Sequence, residues 1–435
     1  MEKCLQFNGR RATLNEIQLV HDDIYTILFG SNPAARSRID PALLSAVRLC
    51  RLNCGGVGID SDTTWHTAGH TTHAARLAVG CVSDLCCRVA TGQLRNGFAI
   101  VRPPGHHAEQ GSAMGFCYFN SVAIAVKTIQ LLGLKRIAII DWDIHHGNGT
   151  QSAFYTDSSV LYISIHRHDD GDFFPGTGKC EDIGSGAGTG RTINIPWPKG
   201  VPMGDAEYLS AFRVIVLPVI KEFEPEMIVV SAGFDGTLGH SNAIGGYLLS
   251  PALFGWLTFL LVDYKIALAL EGGYEIKSLS ESVEACIRAL TRVQDPTVEL
   301  LPLSQSEKTR QPIKVAVDCL RRVMLVQANY WSCLRSNLIS MKMDVPVNSW
   351  IVNMDSDEMV QQHAESMDVL EGTKLFNDEF GAILRRRSFR KQKEVEESEH
   401  PSLFISNQKG SVFDKTLQQF SELSVQSKND HVSFQ

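Results

Sequence analysis

The chain has 435 residues, of which 44% are hydrophobic and 20% charged, and this ordinary globular composition excludes a wholly disordered or fibrous protein. Its 41 Lys and Arg residues against 48 Asp and Glu residues give a formal net charge of −7, which argues against direct binding to nucleic acid through excess positive charge. No apolar run reaches the ~18 residues of a membrane-spanning helix, and the N-terminal residues lack the apolar stretch of a secretion signal. The eleven scattered cysteines favour reduced thiols in the nucleus and cytoplasm over a disulfide frame.

From about residue 12 to residue 298, helix-like and strand-like segments alternate. A capping box at residues 13–16 predicts a helix that runs towards Gly30. Short β-branched runs predict buried strands at residues 98–101, 137–140, 160–163, 227–230 and 266–270. Helical stretches are predicted at residues 121–132, 206–223, 251–262 and 281–293. These repeated units predict a three-layer α/β/α sandwich with a mostly parallel central sheet.

The chain divides into three predicted regions. Residues 1–298 form the α/β domain, and residues 299–340 form a helical extension that contains a helix over 313–334. Residues 341–435 are a mostly disordered polar tail. Within the tail, the basic run at 385–387 followed by Ser388 is typical of a kinase site, and a merely solvated basic run is an equal alternative.

Polar clusters follow four of the predicted strands. In an open parallel sheet, ligands bind beyond the carboxyl ends of the strands, so these clusters are expected to meet at one edge. The clusters have the sequences RPPGHH (102–107), DWDIHHGNG (141–149), SAGFD (231–235) and EGGY (271–274). Any one of these residues alone is more often a helix cap, a turn former or a satisfied core residue. The coincidence of four clusters predicts a functional site.

Within these clusters, Asp143 and His145 are two residues apart, so both side chains face the same way in an extended chain. Together with Asp235 they make two carboxylates and one imidazole. Three ligands with an open position are typical of catalytic zinc, and this oxygen-rich set also admits Fe(II). The metal would lower the pKa of bound water and polarise a carbonyl. The histidines at 106–107 would transfer protons, and Tyr274 would donate a hydrogen bond to the oxyanion.

The motifs resemble the zinc-dependent histone deacetylases over about residues 9–295. The matching segments are RPPGHHAE (102–109), GFCYFN (115–120), DWDIHHGNGT (141–150), FFPG (173–176), SAGFD (231–235) and EGGY (271–274). The first and third of these look like class II, and FFPG and residues 54–62 are similar to the animal class IIa branch. The resemblance implies the arginase/deacetylase fold and makes residues 1–298 the deacetylase catalytic domain.

The resemblance also implies roles for individual residues. The metal site would hold one catalytic Zn²⁺ ion. His107 would be the general base and acid, and His106 its electrostatic neighbour. Asp141 would orient the His106 ring and Asn148 the His107 ring, because such hydrogen-bond partners fix the tautomer of an imidazole. Tyr274 would be the oxyanion donor.

A substrate channel and a second cation are implied as well. Phe116, Phe174 and Gly115 would line the channel for the acyl-lysine stem, and Asp62 at the rim would accept N–H groups of the substrate backbone. A structural K⁺ ion would be held by the residues Asp141, Asp143, His145, Ser164 and Ile165.

Two features depart from class IIa. Tyr274 stands where vertebrate class IIa relatives carry His and hydrolyse acetyl-lysine poorly, so the sequence predicts genuine deacetylase chemistry. The sequence also begins after the strand, loop and helix that open the family's domain, a segment that supplies three of four ligands to a structural zinc in class IIa. Because only Cys54 matches the fourth ligand, we expect no structural zinc and a free thiol at Cys54. His66, His70 and His73 have helical spacing, for which a solvated helix face is preferred over a second metal site.

The expected function is hydrolysis of N6-acetyl-lysine in histone tails or other proteins, in transcriptional repression and together with a corepressor complex. Two alternatives remain. One is a deacetylase of acetylated polyamines, which is disfavoured because the sequence offers no identifiable acidic gatekeeper. The other is a non-catalytic corepressor scaffold, which Tyr274 and the full ligand set oppose. A binuclear manganese hydrolase is disfavoured because His107 and Asn148 stand where a second metal would require carboxylates.

Overall fold

The computed structural model describes residues 4–31, 50–51, 57–59, 64–66 and 70–351. Cys54, Asp62, Ser388 and nearly all of the predicted polar tail lie outside the described residues. In the part of the chain that is described, no helix is both long enough and apolar enough to cross a membrane.

Nine described strands form two sheets. They are β1 Cys50–Arg51, β2 Val57–Ile59, β3 Thr64–His66, β4 Asn96–Ala99, β5 Ile137–Asp141, β6 Val160–Arg167, β7 Thr192–Trp197, β8 Met227–Ala232 and β9 Ile266–Leu270. Strands β1 to β3 make a small antiparallel sheet, and the other six make a parallel sheet in the order β4-β9-β8-β5-β6-β7. The predicted strand at 98–101 is displaced, because pairing with β9 ends at Ala99 and Ile100 is 58% exposed.

The described helices, in chain order, are α1 Leu14–Ile17, α2 Asp23–Gly30, α3 Thr71–Ala90, α4 Ser121–Leu131, α5 Asn148–Phe154, α6 Asp205–Ala211, α7 Leu217–Phe223, α8 Pro251–Phe259, α9 Ile276–Arg292, α10 Gln305–Thr309, α11 Lys314–Gln327, α12 Ser332–Ser340 and α13 Asn348–Ile351. A π-helical turn, Phe212–Val216, joins α6 to α7, so the helix predicted at 206–223 is nearly continuous.

The central sheet is buried on both faces. Within β5, Ile137 and Ile139 pack with α3 and α4, whereas Ala138 and Ile140 face the opposite layer, which contains α6, α7, α8 and α11. The same alternation occurs in β6, β8 and β9, because successive side chains of a strand point to opposite faces. This confirms the predicted α/β/α sandwich with a parallel central sheet.

Two predicted helices are each broken in the structure. The helix expected from residue 13 to Gly30 is two helices, because the backbone N–H of Asp22 donates to the carbonyl of Gln110 instead of continuing the helical pattern. The helix expected over 313–334 ends at Gln327 and resumes at Ser332. Between these helices, the Trp331 indole N–H donates to the carbonyl of Gly190 at 3.0 Å.

His66, His70 and His73, which have helical spacing in the sequence, do not lie on one helix. His66 is the last residue of β3, whereas His70 caps the start of α3 and His73 lies within it. His66 therefore belongs to a strand and His73 to a helix, and the prediction of a common helix face is wrong.

Candidate active site

Three potential metal ligands meet beyond β5 and β8. Asp143 and His145 follow β5, and Asp235 follows β8, which is its neighbour in the sheet. Their ligand atoms all lie within 4.8 Å of one another. His145 Nδ1 is 3.1 Å from Asp143 Oδ1 and 3.0 Å from Asp235 Oδ2. Both carboxylates are fully buried, so the cluster concentrates negative charge away from water.

This cluster is electrostatically suited to a cation. Burial lowers the pKa of His145, but Asp235 and Asp143 outweigh it and raise that pKa to about 9. Burial and the adjacent Asp143 carboxylate raise the pKa of Asp235. One imidazole hydrogen therefore lies between two carboxylate oxygens, and a metal ion in its place would satisfy all three ligands.

Two glycines make room for the buried carboxylates. A Cβ atom on Gly233 would lie 2.0 Å from Asp143 Oδ2, and one on Gly272 would lie 2.3 Å from Asp235 Oδ2. The backbone N–H of Gly272 also donates to Asp143 Oδ2 at 2.8 Å. The glycines in the SAGFD and EGGY motifs thus shape the metal cluster itself.

The first histidine of the pair has a carboxylate partner. His106 Nδ1 lies 3.1 Å from Asp141 Oδ2, which also accepts a hydrogen bond from the Tyr162 hydroxyl at 3.1 Å. Burial lowers the pKa of His106, but Asp143 and Asp141 outweigh this and raise it well above its usual range. The carboxylates of the metal cluster and of Asp141 therefore favour the protonated form of His106.

The second histidine has an amide partner. His107 Nδ1 lies 2.9 Å from Asn148 Oδ1, at the start of α5. Asn148 Nδ2 in turn donates to Glu109 Oε1 at 2.8 Å. Burial lowers the pKa of His107 well below its usual range, and the neighbouring His106 and His145 lower it further. His107 is thus a neutral imidazole with its Nε2 atom free of the Asn148 contact.

Glu271 holds the backbone of the loop that carries His106 and His107. Its Oε2 accepts the backbone N–H of Gly105 at 2.6 Å and of His106 at 3.1 Å, and its Oε1 accepts the Ser231 hydroxyl. Burial raises the pKa of Glu271 to about 7. His21 supports the same loop, because Nδ1 lies 2.8 Å from the carbonyl oxygen of Glu109.

Aromatic side chains surround the opening above these groups. Phe116, Phe174 and Tyr274 are 40%, 39% and 43% exposed, which is unusual for large rings. The Phe116 and Tyr274 rings meet edge to face at 5.7 Å, and Phe174 meets His107 at 5.1 Å. Gly115 has a φ of 51°, and a Cβ there would lie 2.4 Å from His107 Cδ2. Glycine therefore lets the Phe116 loop approach His107.

The residues expected around a monovalent cation also lie together. Asp141 in β5 is paired in register with Ser164 in β6, and Ile165 follows Ser164. The Ser164 hydroxyl is 2.8 Å from His166 Nδ1. Asp143 and His145 come directly after the end of β5. Asp62, expected at the channel rim, lies outside the described residues.

Sequence reasoning gave no role to three residues that contact the site. Glu109 and Glu271 stand inside the recognised motifs, and their acidic side chains were a usable signal. His240, whose ring accepts the backbone N–H of Tyr274, carries no signal in the local sequence.

Comparisons with known proteins agree on one family. The Histone deacetylase domain matches residues 1–290. Histone deacetylase 9 of Homo sapiens is 48% identical over 75% of this chain, and Histone deacetylase 7 of Homo sapiens and Histone deacetylase 4 of Caenorhabditis elegans are each 46% identical over 77%. The aligned regions are 33%, 35% and 39% of these relatives, so the chain spans little more than a third of their length. The crystal structure of the HDA15 HD domain is 35% identical, covers 78% of this chain and 87% of its own, and has a TM-score of 0.66.

Proposed function

Because the chain belongs to the histone deacetylase family, as a class II member similar to class IIa, we propose that it hydrolyses N6-acetyl-lysine in proteins with the help of zinc. The observation that carries the proposal is that a proton-accepting ring and a phenol adjoin the three potential metal ligands. The His107 ring is 5.8 Å from the His145 ring, and the Tyr274 phenol interacts electrostatically with Asp235 and Asp143. Each is a group that amide hydrolysis requires.

Asp143, His145 and Asp235 would hold the metal. A zinc ion held by these residues would polarise an amide carbonyl and lower the pKa of a bound water molecule. The residues fit this ion because they offer two carboxylates and one imidazole in a buried cluster whose glycine neighbours leave space for the ligand atoms. Zn²⁺ is therefore the proposed catalytic ion, and K⁺ the proposed structural ion near Asp141 and Ser164.

His107 would move the proton. Its Nδ1–H donates to Asn148, so Nε2 is available to accept a proton from the attacking water. The lowered pKa of His107 keeps the ring neutral before the reaction and makes the resulting imidazolium a ready acid. The same nitrogen then delivers the proton to the departing lysine amine.

Tyr274 would stabilise the negative charge that develops on the carbonyl oxygen. Although the Tyr274 side chain is partly exposed, the protein groups packed around its phenol desolvate it, and the Asp235 and Asp143 carboxylates add to this effect. Both raise the pKa of Tyr274 well above its usual range, so its hydroxyl retains the proton that it donates. Phe116 and Phe174 would enclose the apolar stem of the acyl-lysine.

The proposed substrates are acetylated histone tails or other acetyl-lysine proteins. The proposed role is in transcriptional repression, with a corepressor complex as the partner. The proposed localisation of the chain is the nucleus and the cytoplasm. The names of the relatives, which are histone deacetylases, support the substrate class. The second candidate is a non-catalytic scaffold of the same fold. The exposed aromatic opening over buried polar groups favours the enzyme.

The test combines metal analysis with an assay on the purified full chain. We expect one zinc per chain and release of acetate from an acetyl-lysine peptide, with little turnover of acetyl-spermidine. Asp235→Asn should lose both metal and activity, whereas Asp318→Asn, on the exposed side of α11 and 52% accessible, is the matched control that should lose neither. A wild-type chain that binds zinc but releases no acetate would support the scaffold instead.

A further inference from the structure

One histidine accepts two consecutive backbone N–H groups of the loop that carries Tyr274. The backbone N–H groups of Tyr274 and Glu275 donate to His240 Nε2, at 2.8 Å and 3.0 Å. His240 Nδ1 lies 3.1 Å from the carbonyl oxygen of Thr237. Since a carbonyl only accepts, the ring hydrogen is on Nδ1 and Nε2 is the acceptor for both amides.

These two hydrogen bonds lie in a segment that has no regular secondary structure. Strand β9 ends at Leu270 and α9 begins at Ile276, so Tyr274 lies in an irregular connection. Gly272 is held by Asp143 and by the N–H of Phe234, but Gly273, with a φ of 136°, has a conformation that other residues rarely adopt. Tyr274 therefore follows a pair of glycines, and a flexible glycine pair does not fix the direction of the phenol.

His240 is itself held firmly. The Thr237 hydroxyl donates to the carbonyl of Phe234 at 2.6 Å and lies 3.0 Å from the Ser278 hydroxyl in α9. A Cβ on Gly245 would lie 2.5 Å from His240 Cβ, so the loop packs closely against the histidine. His240 follows Asp235 by five residues and thus connects the metal-ligand loop to the Tyr274 loop.

We propose that His240 is a positioning residue, which fixes the Tyr274 backbone by accepting two consecutive N–H groups so that the phenol reaches the oxyanion. The inference rests on the proposed function of the site. His240 touches neither the substrate nor the metal ligands in this scheme and acts only through Tyr274. The ring packs edge to face near Tyr274, at 6.3 Å between centroids, so it supports the side chain as well as the backbone.

The experiment is a double-mutant cycle on the full, metal-loaded chain. His240→Phe keeps a ring but has no acceptor, and His240→Gln keeps an acceptor oxygen. We expect His240→Phe to lower kcat on an acetyl-lysine peptide at least tenfold, with KM and zinc content little changed, and His240→Gln to recover part of the loss. In a Tyr274→Phe background, the same His240→Phe change should have almost no further effect, because the hydroxyl being positioned is already gone.

A second measurement does not depend on activity. Hydrogen exchange at the amides of residues 274 and 275 should be slow in the wild type and faster in His240→Phe. Equal losses of kcat in both Tyr274 backgrounds, an unchanged kcat in His240→Phe, or unprotected wild-type amides would each overturn the inference. A wild-type chain that fails to hydrolyse acetyl-lysine would overturn the proposed function, and slow exchange at residues 274 and 275 would still support the attachment itself.

Discussion

His107 Nδ1 lies 2.9 Å from Asn148 Oδ1, and this contact fixes which nitrogen of the proposed base is free. Glu109 sets the orientation of the Asn148 side-chain amide. Asn148 Nδ2 lies 2.8 Å from Glu109 Oε1, and because a carboxylate oxygen accepts, the NH₂ group must face Glu109 and the oxygen must face His107. A chain of three side chains therefore determines the tautomer of His107. The proton is on Nδ1, and Nε2 is available for the reaction.

Glu109→Gln tests this chain. A glutamine can donate to the oxygen of Asn148, so the amide is free to reverse and to offer its NH₂ group to His107 instead. We expect kcat to fall by about 10–100-fold, the usual cost of removing a hydrogen-bond partner that orients a functional group. Steady-state kinetics on an acetyl-lysine peptide measure the change. Glu284→Gln, on the exposed surface of α9, is the matched control, and a Glu109→Gln variant with wild-type kcat would contradict the argument.

Asn148→Asp should change the pH profile in a defined direction. Burial lowers the pKa of His107, assisted by His106 and His145, so the ring is neutral over most of the pH range. A carboxylate at position 148 would favour the imidazolium form and raise that pKa. The acid limb of kcat/KM should therefore move to higher pH than in the wild type. A limb that stays in place or moves to lower pH would show that residue 148 does not face the titrating group.

The sheet and the placement of the metal cluster were predictable because they depend on local patterns. Five continuous apolar runs indicated buried parallel strands, and residues just beyond such strands must meet at one edge, as Asp143 and Asp235 do. Strand β7 was missed because the polar residues Thr192 and Asn194 alternate with its apolar side chains and Pro196 interrupts it. The strand tolerates this proline because it lies at the edge of the sheet.

The supports of the site were not predictable, because each joins distant parts of the chain. Glu271 bonds to the backbone of residue 105, 166 positions away, and His21 reaches residue 109 across 88 positions. No local periodicity encodes such a contact. It arises only when the layers pack and a buried polar group needs a partner. The same need for partners breaks the helix that the sequence predicted between residue 13 and Gly30.

The His21 contact predicts a pH-dependent stability. Burial lowers the pKa of His21 from 6.5 to about 4 and outweighs the carbonyl groups of Glu109 and Gln110, which raise it. Nε2 accepts the backbone N–H of Asn120, so the position that a second ring proton would need is already occupied. The unfolded chain therefore binds a proton in this window that the folded chain excludes. Stability is fully present above pH 6.5 and falls as the pH drops towards about 4, by about 3 kcal/mol.

Denaturant unfolding at several pH values measures this loss. His21→Gln removes the imidazole, and its amide can still donate at one end and accept at the other, so the pH dependence in this window should become shallower. His73→Gln, which removes an exposed imidazole from α3, is the matched control. A wild-type stability that rises as the pH falls below 6.5 would refute the assignment of His21 as a buried neutral histidine.

Tyr274 gives the prediction that separates catalysis from packing. If its hydroxyl donates to the oxyanion, Tyr274→Phe should lower kcat by about 10²–10³-fold with a smaller change in KM, because the hydrogen bond strengthens only as negative charge develops. If the ring serves only to pack against Phe116, the phenylalanine retains that contact and the change should be nearly silent. Tyr274→His should lose a similar factor on acetyl-lysine. It should lose less on a trifluoroacetyl-lysine peptide, since an electron-poor carbonyl depends less on the donor. Equal kcat for wild type and Tyr274→Phe on the acetyl peptide would remove Tyr274 from the chemistry and leave His240 with nothing to position.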